Sequence, residues 1–134
     1  MVVLMMYTAP SCTSCRKARE WLVDHGIAFT ERNITADPLS VDEMKAILRM
    51  TEEGTSELIS TRSRSFLDLK LDLETISMSE LIELMVEKPA ILRRPIIMDD
   101  KRLQVGFNED EMRRFLPRSV RTLELQRAQL LAGF

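Results

Sequence analysis

The sequence predicts an α/β fold with one mixed four-stranded sheet, interrupted by a mainly helical segment. Three observations lead to this prediction. Up to residue 34 the chain contains an apolar run of strand length, a helix with one apolar face and a second strand, which is the order of a βαβ unit. Residues 40–88 then carry a series of helix-capping signals. Two short apolar runs joined by a polar four-residue turn follow, a pattern typical of a hairpin.

The predicted βαβ unit surrounds the two cysteines of the chain. Residues 2–7 read VVLMMY, a continuous apolar run expected of a strand that is buried on both faces. A helix is predicted to begin at the cysteines, because apolar residues recur there at helical spacing, and Gly26 supplies its stop. These apolar residues are Cys15, Ala18, Trp21 and Leu22. Residues 27–34 are predicted to form the second strand.

The predicted helical segment spans residues 40–88. Ser40 and Glu43 have the spacing of a capping box, in which each side chain bonds the backbone amide of the other residue. Ser77 predicts another helix start, whereas Gly54 locally predicts a helix stop. Since no linker rich in glycine, serine or proline flanks the segment, we expect all 134 residues to form a single domain.

The strands resume after the helical segment. Residues 95–98 and 103–105 are predicted to pair as the hairpin. Asn108 is expected to cap a short helix, because its side chain accepts a hydrogen bond from an unpaired helix amide. Residues 118–134 are predicted to form a basic C-terminal helix or tail, with the helix running from about residue 120 to residue 131.

Composition favours a soluble, cytoplasmic protein. Of the 134 residues, 45% are hydrophobic, so the chain can build its core without disulfide bonds. No apolar run approaches the ~20 residues of a membrane span, and residues 1–6 are too short for the core of a signal peptide. Because the cytoplasm keeps ordinary thiols reduced, a disulfide in this protein is expected to be transient or sensory.

Cys12 and Cys15 are the strongest chemical signal, and the chain has no other cysteine. A Cys-x-x-Cys pair beside a βαβ pattern is typical of a redox motif. Cys12 is the better nucleophile candidate because it precedes a helix, whose N-terminus favours a thiolate; Cys15 is then expected to close the disulfide. A structural zinc ion needs four ligands, and His25 is the only histidine, so neither a metal nor another cofactor is expected.

The end of the chain is its basic part. Residues 113–134 contain five arginines against a single acidic residue, Glu124. The arginines are Arg113, Arg114, Arg118, Arg121 and Arg127. Such a segment can contact nucleic acid or an acidic protein surface. Because leucines recur among the arginines, a surface helix that packs on its own domain is the first interpretation, and direct DNA binding is the weaker one.

Five blocks of the sequence resemble the Spx family, a family of global stress regulators within the arsenate-reductase-like branch of the thioredoxin superfamily. The blocks are TAPSCTSCRKAR (8–19), ILRMTEEGT (47–55), ISTRS (59–63), RRPII (93–97) and KRLQVGFNEDE (101–111). They agree with the family in order and spacing, from the first strand into the last helix. The resemblance implies a thioredoxin-like, arsenate-reductase-like fold, in which the proline of RRPII is cis and faces the cysteines.

The resemblance also implies a transcription regulator that does not read DNA on its own. Members of the family bind the C-terminal domain of the RNA polymerase α subunit and redirect transcription toward thiol-homeostasis genes when their CxxC pair is oxidised. Gly54 matches the polymerase contact, Arg94 the arginine that responds to the disulfide, and Arg62 a further arginine of the family. The ClpXP protease and its adaptor degrade these proteins through their C-terminal region, although residues 130–134 depart from the usual endings. We therefore expect a monomer with no membrane contact, which meets promoter DNA only together with polymerase.

A thiol oxidoreductase of the arsenate reductase or glutaredoxin type is the alternative. Cys12, Arg62 and Arg94 resemble the nucleophile and two oxyanion-binding arginines of the related reductases. Their third arginine is replaced here by Phe107, which follows Gly106. A guanidinium makes charge-assisted and often bidentate contacts with phosphate-like oxyanions, so its loss argues against arsenate turnover. We therefore expect a regulator rather than an enzyme.

Overall fold

The computed structural model describes residues 4–116, 126, 127 and 129–133. Within this part of the chain the strands are β1 (Leu4–Thr8), β2 (Phe29–Asn33), β3 (Ile96–Met98) and β4 (Leu103–Val105). The α-helices between residues 4 and 116 are α1 (Thr13–Asp24), α2 (Val41–Arg49), α3 (Thr55–Leu58), α4 (Arg64–Leu67), α5 (Met78–Glu87) and α6 (Glu109–Met112). Two 3-10 helices, Pro89–Ile91 and Arg113–Phe115, accompany them. None of the described helices has the length and apolar character that crossing a membrane requires.

The four strands form one mixed sheet in the order β2-β1-β3-β4. β1 runs parallel to β2 and antiparallel to β3, and β3 pairs antiparallel with β4. The prediction of a mixed four-stranded sheet is confirmed. At its centre, Met6 of β1 lies opposite Ile97 of β3, and both side chains are fully buried.

Both faces of β1 are covered, which explains why its sequence is a continuous apolar run. On one face Met6 belongs to the same buried cluster as Leu22 of α1. On the other face Tyr7 belongs to the cluster that contains Met44 of α2. Because β1 ends at Thr8 between these two clusters, the loop that leads to the cysteines starts from a fixed point.

The helices α2 to α5 all lie within residues 40–88, where the sequence predicts a mainly helical segment. The local prediction for Gly54 is wrong. Helix α2 ends at Arg49 with Met50 as its C-cap, and Gly54 precedes α3 as its N-cap with φ = 77°. This glycine precedes a helix rather than ending one, and glycine adopts the positive φ found here without the steric cost that a side chain would add.

The predicted capping box at the start of α2 is present. The Ser40 hydroxyl accepts a hydrogen bond from the Glu43 amide at 3.1 Å, and the Glu43 carboxylate accepts one from the Ser40 amide at 3.0 Å. Replacing Ser40 with alanine is expected to lower the free energy of unfolding by about 1 kcal/mol, because an N-terminal amide of α2 loses its acceptor. Urea denaturation measures the change. Ser79→Ala, at an exposed position inside α5, is the matched control, and equal losses in the two variants would contradict this role of Ser40.

A network of charged side chains fastens the β3–β4 hairpin to the chain that follows it. The Asp99 carboxylate accepts hydrogen bonds from the amides of Lys101 at 2.8 Å and Arg102 at 2.7 Å, and from the Arg102 side chain at 3.0 Å. Arg102 also donates to the backbone carbonyl of Arg114. Arg114 in turn donates to the carbonyl of Leu103 at 2.8 Å. The sequence shows only a polar turn here, so this connection is a structural finding.

Much of the predicted C-terminal helix lies outside the described residues. Arg118 and Arg121 belong to that part, and the described portion of residues 118–134 is helix or turn. Two of the five basic-segment arginines already have partners in the structure. Arg114 bonds Leu103, as above, and Arg113 pairs with an aspartate of α6 at 3.4 Å. Direct DNA binding by the five arginines together therefore loses support at two positions.

Candidate redox site at the start of the first helix

The cysteine pair occupies the junction between β1 and α1. Cys12 is the N-cap of α1, and the preceding residue, Ser11, has a left-handed backbone with φ = 56°. Cys12 and Cys15 are joined as a disulfide, and the Cys15 amide donates to the Cys12 sulfur at 3.2 Å. Cys12 is partly exposed, whereas Cys15 is 1% exposed. A reagent from solvent therefore meets Cys12 first, which is the arrangement that an attacking Cys12 and a resolving Cys15 require.

Helix α1 itself acts on the charge of Cys12. The helix is 12 residues long, and its aligned peptide dipoles place about half a positive charge at the N-terminus. This partial charge stabilises an anion at the N-cap, so it favours the thiolate form of Cys12 once the disulfide is reduced. The apolar face of the helix, which carries Cys15, packs on the sheet and keeps the second sulfur away from water.

Arg94 lines a cleft that Cys12 also borders. Its lining includes Cys12 and Thr13 from the start of α1 and Arg94 and Phe107 from the ends of the hairpin. The bond between Arg94 and Pro95 is cis, as the resemblance implies. Among the described residues, the Arg94 guanidinium has no hydrogen-bond or ion-pair partner. Its charge is therefore available to an anionic group in the cleft, which Phe107 also lines.

The other two predicted site residues lie elsewhere. Arg62 is exposed and borders a separate depression with Arg93. Neither Arg62 nor Gly54 lines a cleft that Cys12 borders. Gly54 is partly buried, yet a Cβ atom built on it would meet no heavy atom within 4 Å. The structure thus places Arg94 and Cys12 on the same cleft, while Gly54 lines neither cleft at Cys12.

A second cleft at Cys12 contains an ion pair that sequence reasoning missed. Cys12, Arg16, Arg19 and Glu31 all contribute to its lining. Both carboxylate oxygens of Glu31 accept hydrogen bonds from the Arg19 guanidinium, at 2.6 and 2.7 Å, and the Thr8 hydroxyl donates to one of them at 3.1 Å. The hydrogen bonds from Arg19 lower the pKa of Glu31, against the opposing effect of burial. Glu31 is therefore ionised at neutral pH.

No local rule of sequence connects Arg19 with Glu31. They stand on α1 and β2, 12 residues apart, whereas side chains pair within one helix only at separations of three or four. The one available signal was a glutamate inside a predicted strand, where that residue type is depleted. The described residues also offer no candidate metal site. They contain no group of three or more histidine, cysteine, aspartate or glutamate side chains that could hold a metal ion.

Comparisons with known proteins agree with this arrangement. The model of the ArsC family matches residues 7–115. A protein from Enterococcus faecalis named Global transcriptional regulator Spx is 63% identical over 131 residues, which are 98% of this chain and 99% of that protein. The protein of the same name from Bacillus subtilis is 60% identical over 98% of this chain and 100% of its own length.

A solved structure has the same fold. An ArsC family related protein from Bacteroides fragilis matches with a TM-score of 0.75 at 27% identity, over 83% of this chain and 95% of that one. The prediction of a thioredoxin-like, arsenate-reductase-like fold is confirmed. From the family match and the two relatives, this chain belongs to the ArsC family and, within it, to the Spx group.

Proposed function

We propose that this chain is a redox-sensing global transcription regulator of the cytoplasm, whose signal is the disulfide between Cys12 and Cys15. One observation carries the proposal. In a chain 63% identical to a protein named Global transcriptional regulator Spx, the cysteine pair lies at a helix N-terminus with the first sulfur accessible and the second buried. The disulfide reports the redox state, and the chain is not an enzyme.

The sensing step needs an oxidant, and hydrogen peroxide serves as the example. The Cys12 thiolate attacks one peroxide oxygen and breaks the O–O bond, which leaves a sulfenic acid on Cys12 and, after protonation, one water. The Cys15 sulfur then attacks the Cys12 sulfur. The S–O bond breaks, the S–S bond forms and a second water leaves. The two thiols have then lost two electrons and two protons, and the peroxide has become two water molecules.

Arg94 is the residue that we propose to respond when the disulfide forms. Its guanidinium borders the Cys12 cleft and has no partner among the described residues. A reduced Cys12 thiolate attracts this cation, and oxidation removes the negative charge that does so. Arg94 then becomes available to another anionic group. Arg62 is proposed to support the same response from the neighbouring depression that it shares with Arg93.

The proposed partner is the C-terminal domain of the RNA polymerase α subunit, and the proposed contact is at Gly54. A glycine at this position leaves the backbone accessible to a closely approaching surface, since no atom occupies the space that a Cβ would take. The chain is proposed to act as a monomer and to meet promoter DNA only in complex with polymerase. The ClpXP protease with its adaptor is proposed to remove it.

Replacing Gly54 with arginine is expected to weaken binding to the α C-terminal domain at least tenfold. Gly54 has φ = 77° and ψ = −139°, a conformation that costs any side-chain-bearing residue about 1–3 kcal/mol. Arginine adds a long side chain on the open face, directly in the path of the partner. Isothermal titration calorimetry of the oxidised chain with the purified domain measures the affinity.

Gly54→Ala is the matched control for this experiment. It shares the backbone strain of the arginine variant but adds only a methyl group, so it is expected to lose similar stability and keep most of the affinity. If the arginine variant bound the domain as tightly as the alanine variant, the proposed contact at Gly54 would be wrong. A wild-type chain that binds the domain in neither redox form would overturn the proposed function.

A thiol oxidoreductase is the second candidate. It is favoured by the cleft at Cys12, where Arg94 has no partner among the described residues. Arsenate reduction and mixed-disulfide reduction, each with a thiol donor, are the assays that separate an enzyme from a regulator. We expect no turnover above that of a Cys12→Ser variant. Sustained turnover that depends on Cys12 would make the chain an enzyme.

A further inference from the structure

We infer that Glu31 sets the equilibrium between dithiol and disulfide at Cys12 and Cys15, by neutralising the charge of Arg19, which lines the same cleft as Cys12. Glu31 is a positioning residue, because it acts through Arg19 rather than on a sulfur. The inference rests on the part of the proposed function in which the cysteine pair is oxidised and reduced reversibly. It names a residue that controls how easily this happens.

Three elements of the fold meet at the Glu31 carboxylate. β2 carries Glu31, α1 carries Arg19, and β1 contributes Thr8 as its last residue. The two hydrogen bonds from Arg19 are short and engage both carboxylate oxygens, and the Thr8 hydroxyl supplies a third. Since Arg19 and Glu31 line the cleft that Cys12 also borders, the guanidinium is fixed at the cleft with its charge balanced.

Apart from Glu31, the charged residues described at the two clefts of Cys12 are arginines. Arg16 shares the cleft of Glu31, and Arg93 and Arg94 line the other cleft at Cys12. Of the described residues that line either cleft, Glu31 alone is acidic. Glu31 is therefore the one carboxylate at these clefts that offsets the positive surroundings of Cys12.

The sign of the effect follows from the charge of each redox form. The disulfide is neutral, whereas the reduced pair carries a negative charge when Cys12 is a thiolate. Removing the charge of Glu31 leaves Arg19 uncompensated, and its positive charge stabilises the thiolate. A stabilised reduced form makes the disulfide easier to reduce. Glu31 therefore shifts the equilibrium toward the disulfide, and Arg19 alone would shift it the other way.

The test is a redox titration of the full chain against dithiothreitol, at low ionic strength and at a pH above the thiol pKa of Cys12. In this reaction the Cys12–Cys15 bond breaks and each sulfur gains an electron; Cys15 also gains a proton, whereas Cys12 remains a thiolate at this pH. Dithiothreitol supplies both electrons and two protons as it closes to its cyclic disulfide, and the proton that Cys12 does not take passes to the buffer. The Glu31→Gln variant is expected to raise the equilibrium constant for reduction about threefold, which is ~15 mV toward a less negative potential.

Arg19→Gln is expected to lower that constant by a similar factor, because it leaves the Glu31 carboxylate uncompensated. The double variant Arg19→Gln/Glu31→Gln is expected to return to the wild-type value. In a Cys15→Ala background, ultraviolet absorbance of the thiolate is expected to show a lower pKa of Cys12 in the Glu31 variant and a higher one in the Arg19 variant. All shifts are expected to shrink as salt screens these partly exposed charges.

Another ion pair between a strand and a helix supplies the control. Arg32 of β2 bonds Glu43 of α2 at 2.5 Å, and neither residue lines a cleft at Cys12. Glu43→Gln makes the same change of charge as Glu31→Gln and is expected to leave the potential unchanged. Equal potentials in these two variants would overturn the inference. Shifts of the potential in the same direction in the Glu31 and Arg19 variants would also overturn it. Opposite charges must shift the potential in opposite directions, whereas local loss of structure would shift it in the same direction in both variants.

Failure of the inference and failure of the proposed function give different results. A wild-type chain without a reversible two-electron transition would overturn the proposed function. In that case the pKa of Cys12 in the Cys15→Ala background still decides whether Glu31 acts on the thiolate. A reversible wild-type transition with an unmoved Glu31→Gln variant would overturn the inference alone.

Discussion

Replacing Asp99 with alanine is expected to lower the free energy of unfolding by about 2–4 kcal/mol. The carboxylate is buried and accepts hydrogen bonds from the amides of Lys101 and Arg102 as well as from the Arg102 side chain. Its loss leaves those two amides without their acceptor and releases Arg102 from the turn. Urea denaturation followed by circular dichroism measures the effect.

Asp100 is the matched control for Asp99. It is the next residue in the same turn and is exposed. Asp100→Ala is expected to change the free energy of unfolding by less than about 0.5 kcal/mol, as is usual for an exposed side chain. If the two alanine variants lost the same stability, the network around Asp99 would not be what holds the hairpin.

The stability that Asp99 provides is also expected to depend on pH. Burial alone would raise the pKa of its carboxyl, but the hydrogen bonds from Lys101 and Arg102 outweigh burial and lower the pKa below its ordinary value of 3.8. The ionised form is thus favoured in the folded chain. Its contribution is complete above pH 3.8 and is lost as the pH falls through the lower folded-state pKa. Asp99→Asn is expected to flatten the acid limb of the stability profile.

Replacing Cys12 with serine is expected to abolish the redox response of transcription and leave the fold intact. The variant cannot form the disulfide. Serine is a favoured N-cap residue, and its hydroxyl can accept the hydrogen bond from the Cys15 amide that the Cys12 sulfur accepts in the wild type. In transcription with purified polymerase, the oxidised variant is expected to behave like the reduced wild type. Thiol counting is expected to show two thiols lost from the wild type on oxidation and no intramolecular disulfide in the variant.

Ser14→Ala is the control for the Cys12 experiment, since it alters the first turn of α1 between the two cysteines and keeps both sulfurs. It is expected to retain the wild-type response. Cys15 is best replaced by alanine, because its site is 1% exposed and a serine hydroxyl buried without a partner costs about 1–3 kcal/mol. A Cys12→Ser variant that still responds to oxidation would show that the signal arises elsewhere in the chain.

Local patterns predicted the parts of the fold that local physics decides. The apolar run before Thr8, the helical spacing from Cys15 to Leu22 and the capping box at Ser40 each act within a few residues, so sequence alone reveals them. The local pattern gives the wrong role for Gly54 because glycine suits any position with a positive φ, whether that position follows a helix or precedes one. Deciding between them requires knowing that α2 ends earlier, at Arg49.

At the candidate site, too, the sequence shows the residues that act through local spacing but not the contacts between distant elements. The cysteine pair can be recognised in the sequence because the Cys-x-x-Cys spacing is itself what allows the disulfide to form. The resemblance to the family pointed to Arg94. The partnership of Arg19 with Glu31 and that of Arg102 with Arg114 were not visible. Each joins elements that are brought together only when the chain folds over the sheet, and nothing in the intervening sequence marks the contact.

The disulfide joins residues only three positions apart, within the first turn of α1. A cross-link stabilises a protein mainly by restricting its unfolded chain, and the restriction grows with the length of chain that the link encloses. So short a ring restricts the unfolded chain less than a link between distant parts of the chain would. The proposed redox signal therefore rests on the shape and charge of the surface around Cys12 rather than on a large change in the stability of the molecule.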